Sequence, residues 1–202
     1  MRKAAIVAIA AALVLSSAAA APAAQGAVDK IKSFYSVLVD TMKRGKALGI
    51  EGRYKQLAQP VEKTFDIPAM ARLSVGPAWN ALSEADRNAI TDAFRRMTIA
   101  NYAKNFASFG GESFVTEAAP KPRNEDQIVE SKLVGSDKAE TPFNYRMHVA
   151  GDEWRVLDVY LNGNVSQLAL RRSEFSATVA SSGAQGLVKK INDLVDKQMK
   201  EG

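Results

Sequence analysis

The chain has 202 residues, with 27 Lys and Arg against 22 Asp and Glu, one His, no Cys and a formal net charge of +5. The absence of Cys excludes disulfides and an acylated-cysteine anchor, and it leaves any exported form dependent on its core alone. Lys and Arg are scattered, with no run of four or more, which argues against nucleic acid as a partner.

Met1-Arg2-Lys3 is a positive start, Ala4 to Leu15 an apolar run, and Ser16 to Ala24 a stretch of small residues with Ala-x-Ala sites, one of them after Ala20. This is the pattern of a cleaved secretory signal peptide, so residues 1–24 are set apart and 25–202 form the mature chain. Its loss takes Arg2 and Lys3 away and lowers the charge to +3. The apolar run is too short to span a bilayer comfortably, and no second candidate follows. About 180 residues remain, enough for one substantial core and too few for two.

A first helix is predicted from about Ala27 to Arg44, where Val28, Ile31, Tyr35, Leu38 and Met42 recur at helical spacing. Gly45 and Gly49 should end it and open a loop. Arg53 to Thr64 reads as a second helix, bent or ended near Pro60. Asp66 is a good N-cap for a short helix with Pro68 in its first turn, stopping at Gly76-Pro77. Ser83 to Phe109 is the longest helix, with Ser83 and Asp86 as its capping pair and Gly110-Gly111 as its end.

The period then changes to two. Ser113–Ala118, Gln127–Val134, Thr141–Val149 and Glu153–Leu161 read as four strands joined by turns, an antiparallel meander. In the third, Phe143, Tyr145, Met147 and Val149 share one face while Asn144, Arg146 and His148 share the other, so one face is buried and one wetted. Two helices follow, about Val165–Ala180 and Ala184–Lys200, the first capped by Asn164 with Gln167. The predicted class is α+β, a helical layer over one face of a four-stranded antiparallel sheet.

Catalytic constellations are missing from the pattern. His148 is the single His, on a polar strand face, and reads as a surface or hydrogen-bonded residue. There is no HExxH, no GxSxG elbow and no phosphate loop. A non-enzyme without metal or cofactor is expected. Large apolar side chains are abundant on the long helix and the meander, including Phe94, Met97, Tyr102, Phe106, Phe143, Tyr145 and Met147. They would fill an ordinary core, or line a cavity between helices and a curved sheet for an apolar ligand.

Two charges fall on faces that should be apolar. At 100° per residue Val165, Leu168, Arg172, Phe175 and Val179 lie within an arc of about 80°, which includes Arg172 and leaves Arg171 to the side. By strict alternation Asp158 shares a strand face with Trp154, Val156 and Tyr160. Buried charge demands a partner, and two readings stand open: an Asp158–Arg172 ion pair, or Arg172 at a cavity mouth holding a lipid phosphate.

The motif Trp154-x-Val156-x-Asp158-Val159, followed by Gly163, Ser166 and Arg172-x-x-Phe175, resembles the C-terminal signature of the MlaC family of periplasmic phospholipid-binding proteins. Phe65-Asp66-Ile67-Pro68-x-Met70-Ala71-Arg72-Leu73-x-x-Gly76-x-x-Trp79 resembles an upstream block of that family, and Tyr102-Ala-x-x-Phe106 the end of its long helix. Tyr160–Leu168 and Arg171–Phe175 look closer to the hopanoid-associated HpnM branch. The resemblance covers about Ala27 to Met199. It implies a strongly curved NTF2-like sheet and an internal apolar cavity holding the acyl chains of a phospholipid or hopanoid-type lipid. It adds Leu73, Trp79, Val156 and Arg172 to the aromatic and Met set above as lipid-binding candidates. It also implies a monomer in the periplasm that exchanges lipid with an inner-membrane ABC-type transporter and an outer-membrane lipoprotein complex. The competing expectation is an interaction or scaffold protein with a closed core.

Overall fold

Where the chain turns from one helix to the next, glycines and caps set the geometry. The computed structural model describes residues 24–202; the expected signal peptide lies outside the described residues except for Ala24. Helix α1 (Gln25–Lys43) buries Val28, Ile31, Phe34, Tyr35, Leu38 and Met42, the anticipated stripe. Gly45 and Gly49 do not open a loop. Helix α2 (Gly45–Thr64) begins at once, broken only at Gly49, whose φ of 59° and ψ of 179° suit glycine alone. At Gly45 a Cβ would lie 1.8 Å from the Ala107 carbonyl oxygen, so the missing side chain permits a close approach. Arg53 is buried beside this contact. Its Nε donates to the Ala103 carbonyl at 2.8 Å and Nη1 to the Gly45 carbonyl at 2.9 Å, tying α2 to the end of the long helix. Burial holds its pKa below the usual arginine value.

Helix α3 (Ile67–Val75) is capped as expected, Asp66 Oδ1 accepting from the Ala69 N–H at 3.0 Å. A 3₁₀ turn (Gly76–Ala81) leads to helix α4 (Glu84–Asn105), where Ser83 Oγ accepts from the Asp86 N–H at 3.1 Å and donates to the Asp86 carboxylate at 2.7 Å. This helix stops short of Phe109, because Phe106 leaves helical geometry (φ −114°, ψ 57°).

The sheet has seven strands: β1 (Ser113–Thr116), β2 (Lys121–Arg123), β3 (Asp126–Val129), β4 (Ser131–Val134), β5 (Glu140–Ala150), β6 (Glu153–Leu161) and β7 (Val165–Ser166). Every pairing between these strands is antiparallel, and Phe65 adds an isolated parallel bridge to Val156. The four anticipated strands are all present, one of them divided. β3 and β4 are two halves of one expected strand and share one register against β5, with Ile128 opposite Arg146 and Lys132 opposite Pro142. β2 was not foreseen. Its segment, Lys-Pro-Arg, carries no alternating apolar pattern, and it pairs only with β3, at an edge where Pro122 is tolerated. β5 is the spine, flanked by β3 and β4 on one side and β6 on the other.

Helix α5 (Gln167–Glu201) closes the fold and is interrupted at Gly183 (φ 68°, ψ −175°), giving the two expected C-terminal helices. Its cap is Ser166 rather than Asn164, because Val165 and Ser166 continue as a strand beside Leu161 and Tyr160. The architecture is α+β, with helices packed on one face of an open antiparallel sheet.

Candidate functional site

The wall that faces the helices is built where β5 meets β6. On β5, Phe143, Tyr145, Met147 and Val149 stand opposite Leu161, Val159, Val156 and Trp154 of β6. The register shifts between Arg146 and Met147: Arg146 pairs with Asp158, Met147 with Val156, and Leu157 has no partner. Leu157 is therefore a bulge residue, and beyond it the pleat of β6 changes sides. Val159 and Leu161 turn inward. Asp158 lies with Tyr160 on the opposite face, not with Trp154 and Val156 as strict alternation implied.

That change decides the fate of Asp158. Its Oδ1 accepts from the Leu168 N–H at 2.9 Å and the Val159 N–H at 2.8 Å, and Oδ2 accepts from Ser166 Oγ at 2.6 Å. Ser166 Oγ in turn accepts from the Ala169 N–H at 2.9 Å. The carboxylate is buried and balanced by the N-terminus of α5, where free N–H groups and the helix dipole favour negative charge. The expected Asp158–Arg172 ion pair is not formed. Arg172 is exposed, its guanidinium lying over Gly76, where a Cβ would meet Nε at 3.2 Å.

Between this wall and helices α4 and α5 lies a cavity of about 410 Å³. Phe94, Met97, Tyr102 and Phe106 of α4 and its cap line it, with Phe143, Val159 and Leu161 of the sheet, Phe65 and Met70 at either end of the α3 cap, and Leu168. Its polar lining is confined to Thr98, Asn101 and Asn105 on α4 and Gln167 and Arg171 on α5.

Of the candidates read from sequence, the structure brings Phe94, Met97, Tyr102, Phe106 and Phe143 together at the cavity. Tyr145, Met147 and Val156 are fully buried in the core and do not line it. Leu73 and Trp79 are half-buried against the core, away from the lining. Arg172 yields its place to Arg171. The helical arc had counted Val165, which belongs to β7; without it Arg171 and Arg172 stand about equally far, roughly 50°, from the Leu168–Phe175 direction, and the packing of α5 places Arg171 in the cavity lining. Val159 and Leu161 were hidden by the bulge, whereas Phe65 and Met70 stood inside the quoted upstream motif.

The deep wall is kept uncharged. Tyr35, Tyr102 and Tyr145 cluster, with Tyr35 edge-on to Tyr145 at 5.9 Å between ring centres. The Tyr35 hydroxyl lies 2.6 Å from Ser131 Oγ, whose own proton goes to the Phe143 carbonyl. Burial pushes Tyr35 up to about 12 and raises Tyr102 and Tyr145 as well. Tyr102 stacks on Phe106 at 5.7 Å and meets Phe34 edge-on at 5.1 Å.

The rim is charged. Arg171 Nη1 lies 3.3 Å from Glu174 Oε2 and its guanidinium 5.9 Å from the Phe175 ring centre. Lys190 Nζ lies 2.9 Å from Glu174 Oε1, and Lys190 first and Arg171 second hold that carboxyl below its usual range. His148 is on the outer face, its Nε2 2.8 Å from Asp66 Oδ2 without hydrogen-bond geometry. Among the described residues no three His, Cys, Asp or Glu gather to hold a metal, and no helix is long and apolar enough to cross a membrane.

Among solved structures, the fold is similar to the phospholipid-binding protein from Ralstonia solanacearum in complex with a phospholipid. The TM-score is 0.74 at 16% identity, covering 87% of this chain and 98% of that one. No curated protein matches the chain in sequence. The family model for the MlaC protein matches residues 32–193, a span that runs from α1 through the whole sheet and most of α5. The chain thus belongs to the MlaC protein family.

Proposed function

We propose that this protein is a periplasmic lipid carrier, exported by a cleaved signal peptide, which holds acyl chains in the cavity between α4, α5 and the β5–β6 wall. The observation that carries the reading is the cavity itself: about 410 Å³, lined mainly by apolar side chains, with Thr98, Asn101, Asn105, Gln167 and Arg171 as its polar members. That volume lies in the range of ordinary ligand pockets. A closed core, the competing reading, leaves no such void. The phospholipid held by the similar Ralstonia solanacearum protein supports phospholipid as the ligand class.

The energetics favour a shuttle over a sink. Burying one CH₂ is worth about 0.8 kcal/mol, so a chain of about sixteen carbons moved from water gains roughly 12 kcal/mol. Two chains gain about 25 kcal/mol, beyond the ceiling of about 18–21 kcal/mol for non-covalent affinity. The working reference is therefore the bilayer, where the chains are already dry. A cavity roughly isoenergetic with the membrane lets partner complexes at the inner and outer membranes tip the exchange. Met70 and Met97 suit such a site, because a flexible thioether adapts to chains of differing shape.

Native mass spectrometry of protein isolated under non-denaturing conditions tests the reading. A discrete added mass identifiable as phospholipid is expected, and a hopanoid mass would redirect the ligand class. Lipid-free protein that also takes up nothing from vesicles would overturn it.

A further inference from the structure

We propose that the cavity mouth is a binding site for the phosphodiester of a glycerophospholipid headgroup, with Arg171 as its anchoring cation; this rests on the carrier reading above. Of the described residues that line the cavity, Arg171 alone is charged. Its side chain is 28% exposed, so it stands where the cavity meets solvent rather than in the core. The ion-pair arithmetic leaves a surplus. Glu174 is the one acid in contact with Arg171, and it is shared with Lys190, so two cations divide a single negative charge. One more anion at the rim would balance the set.

The neutral groups beside it fit the same ligand. Asn101 and Asn105 stand one turn apart on α4, facing Gln167 and Arg171, one turn apart on α5. The Asn101 side-chain oxygen is engaged by Gln198, so what it offers the cavity is its N–H donors. A guanidinium presents several N–H groups in a planar fork and matches phosphate oxygens as a pair, and charge-assisted bonds of this kind are the strong ones. Because Phe175 and Glu174 both support the Arg171 side chain, little ordering remains when the ligand arrives. A site so built selects a lipid that carries a phosphodiester over one with the same chains and a neutral head.

The test offers the full mature protein mixed vesicles of phosphatidylcholine doped equally with dioleoyl phosphatidylglycerol and dioleoylglycerol, and reads bound lipid by native mass spectrometry. Wild type should take phosphatidylglycerol over diacylglycerol. Arg171→Gln should lose that preference by about tenfold, the scale of one charge-assisted contact, with diacylglycerol load unchanged. Arg172→Gln, one residue along the helix and off the cavity, should behave as wild type. Arg171→Lys, which keeps charge without the fork, should fall between and guards against a folding defect in the Gln variant. An Arg171→Gln protein that binds lipid with its preference intact overturns the proposal and leaves the carrier reading standing. Equal losses in the Arg171 and Arg172 variants would replace a built site with diffuse surface charge. A wild type that takes up none of the three lipids, phosphatidylcholine included, sinks both readings.

Discussion

Ser166 Oγ donates to the Asp158 carboxylate at 2.6 Å while accepting the Ala169 N–H at 2.9 Å, so a strand residue and a helix cap form one joint. Asp158 adds the Leu168 N–H to the same cluster. The first turn of α5, which carries Leu168 and Arg171 to the cavity, is thereby fixed to β6.

Breaking that joint should loosen α5. Asp158→Asn removes the charge that faces the helix N-terminus and is expected to cost about 2 kcal/mol, and Ser166→Ala about 1 kcal/mol. The two should be non-additive, since they share one network. Urea denaturation reads this directly; an Asp158→Asn protein with the wild-type midpoint would contradict the assignment.

Filling the cavity and crowding the core should be separable. Leu161→Trp points into the void and is expected to cut lipid load while leaving the melting temperature close to wild type. Met147→Trp and Val156→Trp enter packed surroundings and should destabilise by about 1–3 kcal/mol or more. Paired melting curves and native mass spectra distinguish the outcomes, and a Met147→Trp protein of full stability would place that side chain in the cavity after all.

Alkaline stability should follow the buried phenols. Their folded pKa values lie above the unfolded value of about 10, with Tyr35 at about 12. The unfolded chain releases these protons first, so the stabilisation is complete below about pH 10 and is lost as pH rises through the folded values. Urea midpoints measured from neutral pH upward should stay level and then fall, and Tyr35→Phe should flatten the fall. A decline that begins well below pH 10 points to other groups.

Two glycines of α2 should respond for different reasons. Gly45→Ala drives a Cβ into the Ala107 carbonyl and should cost about 3 kcal/mol. Gly49→Ala meets nothing within 4 Å, yet its backbone suits glycine alone, and about 2 kcal/mol is expected. Thermal melts should rank them in that order.

Much of this was legible from residue patterns, and the failures have physical causes. Stripes at helical spacing located α1 and α5, and Asp66 and Ser83 marked the starts of α3 and α4, because those signals are local. β2 carried no signal, since an edge strand of Lys, Pro and Arg needs only a neighbour to pair with. Helical spacing alone does not separate Arg171 from Arg172, which stand roughly 50° to either side of the Leu168–Phe175 direction, and only the packing of α5 puts Arg171 in the cavity lining. The inward turn of Val159 and Leu161 required a bulge, and alternation read along the chain passes over an extra residue without notice.

Leu157 thus sets a parity. Were the same residues to alternate strictly with no bulge, the last third of β6 would present Asp158 and Tyr160 to the cavity and send Val159 and Leu161 to the outer surface. The same residue that wets one wall would strip α5 of its anion. The bulge is an exchange of inside for outside along the strand beyond it, and the dryness of the chamber hangs on a count of one.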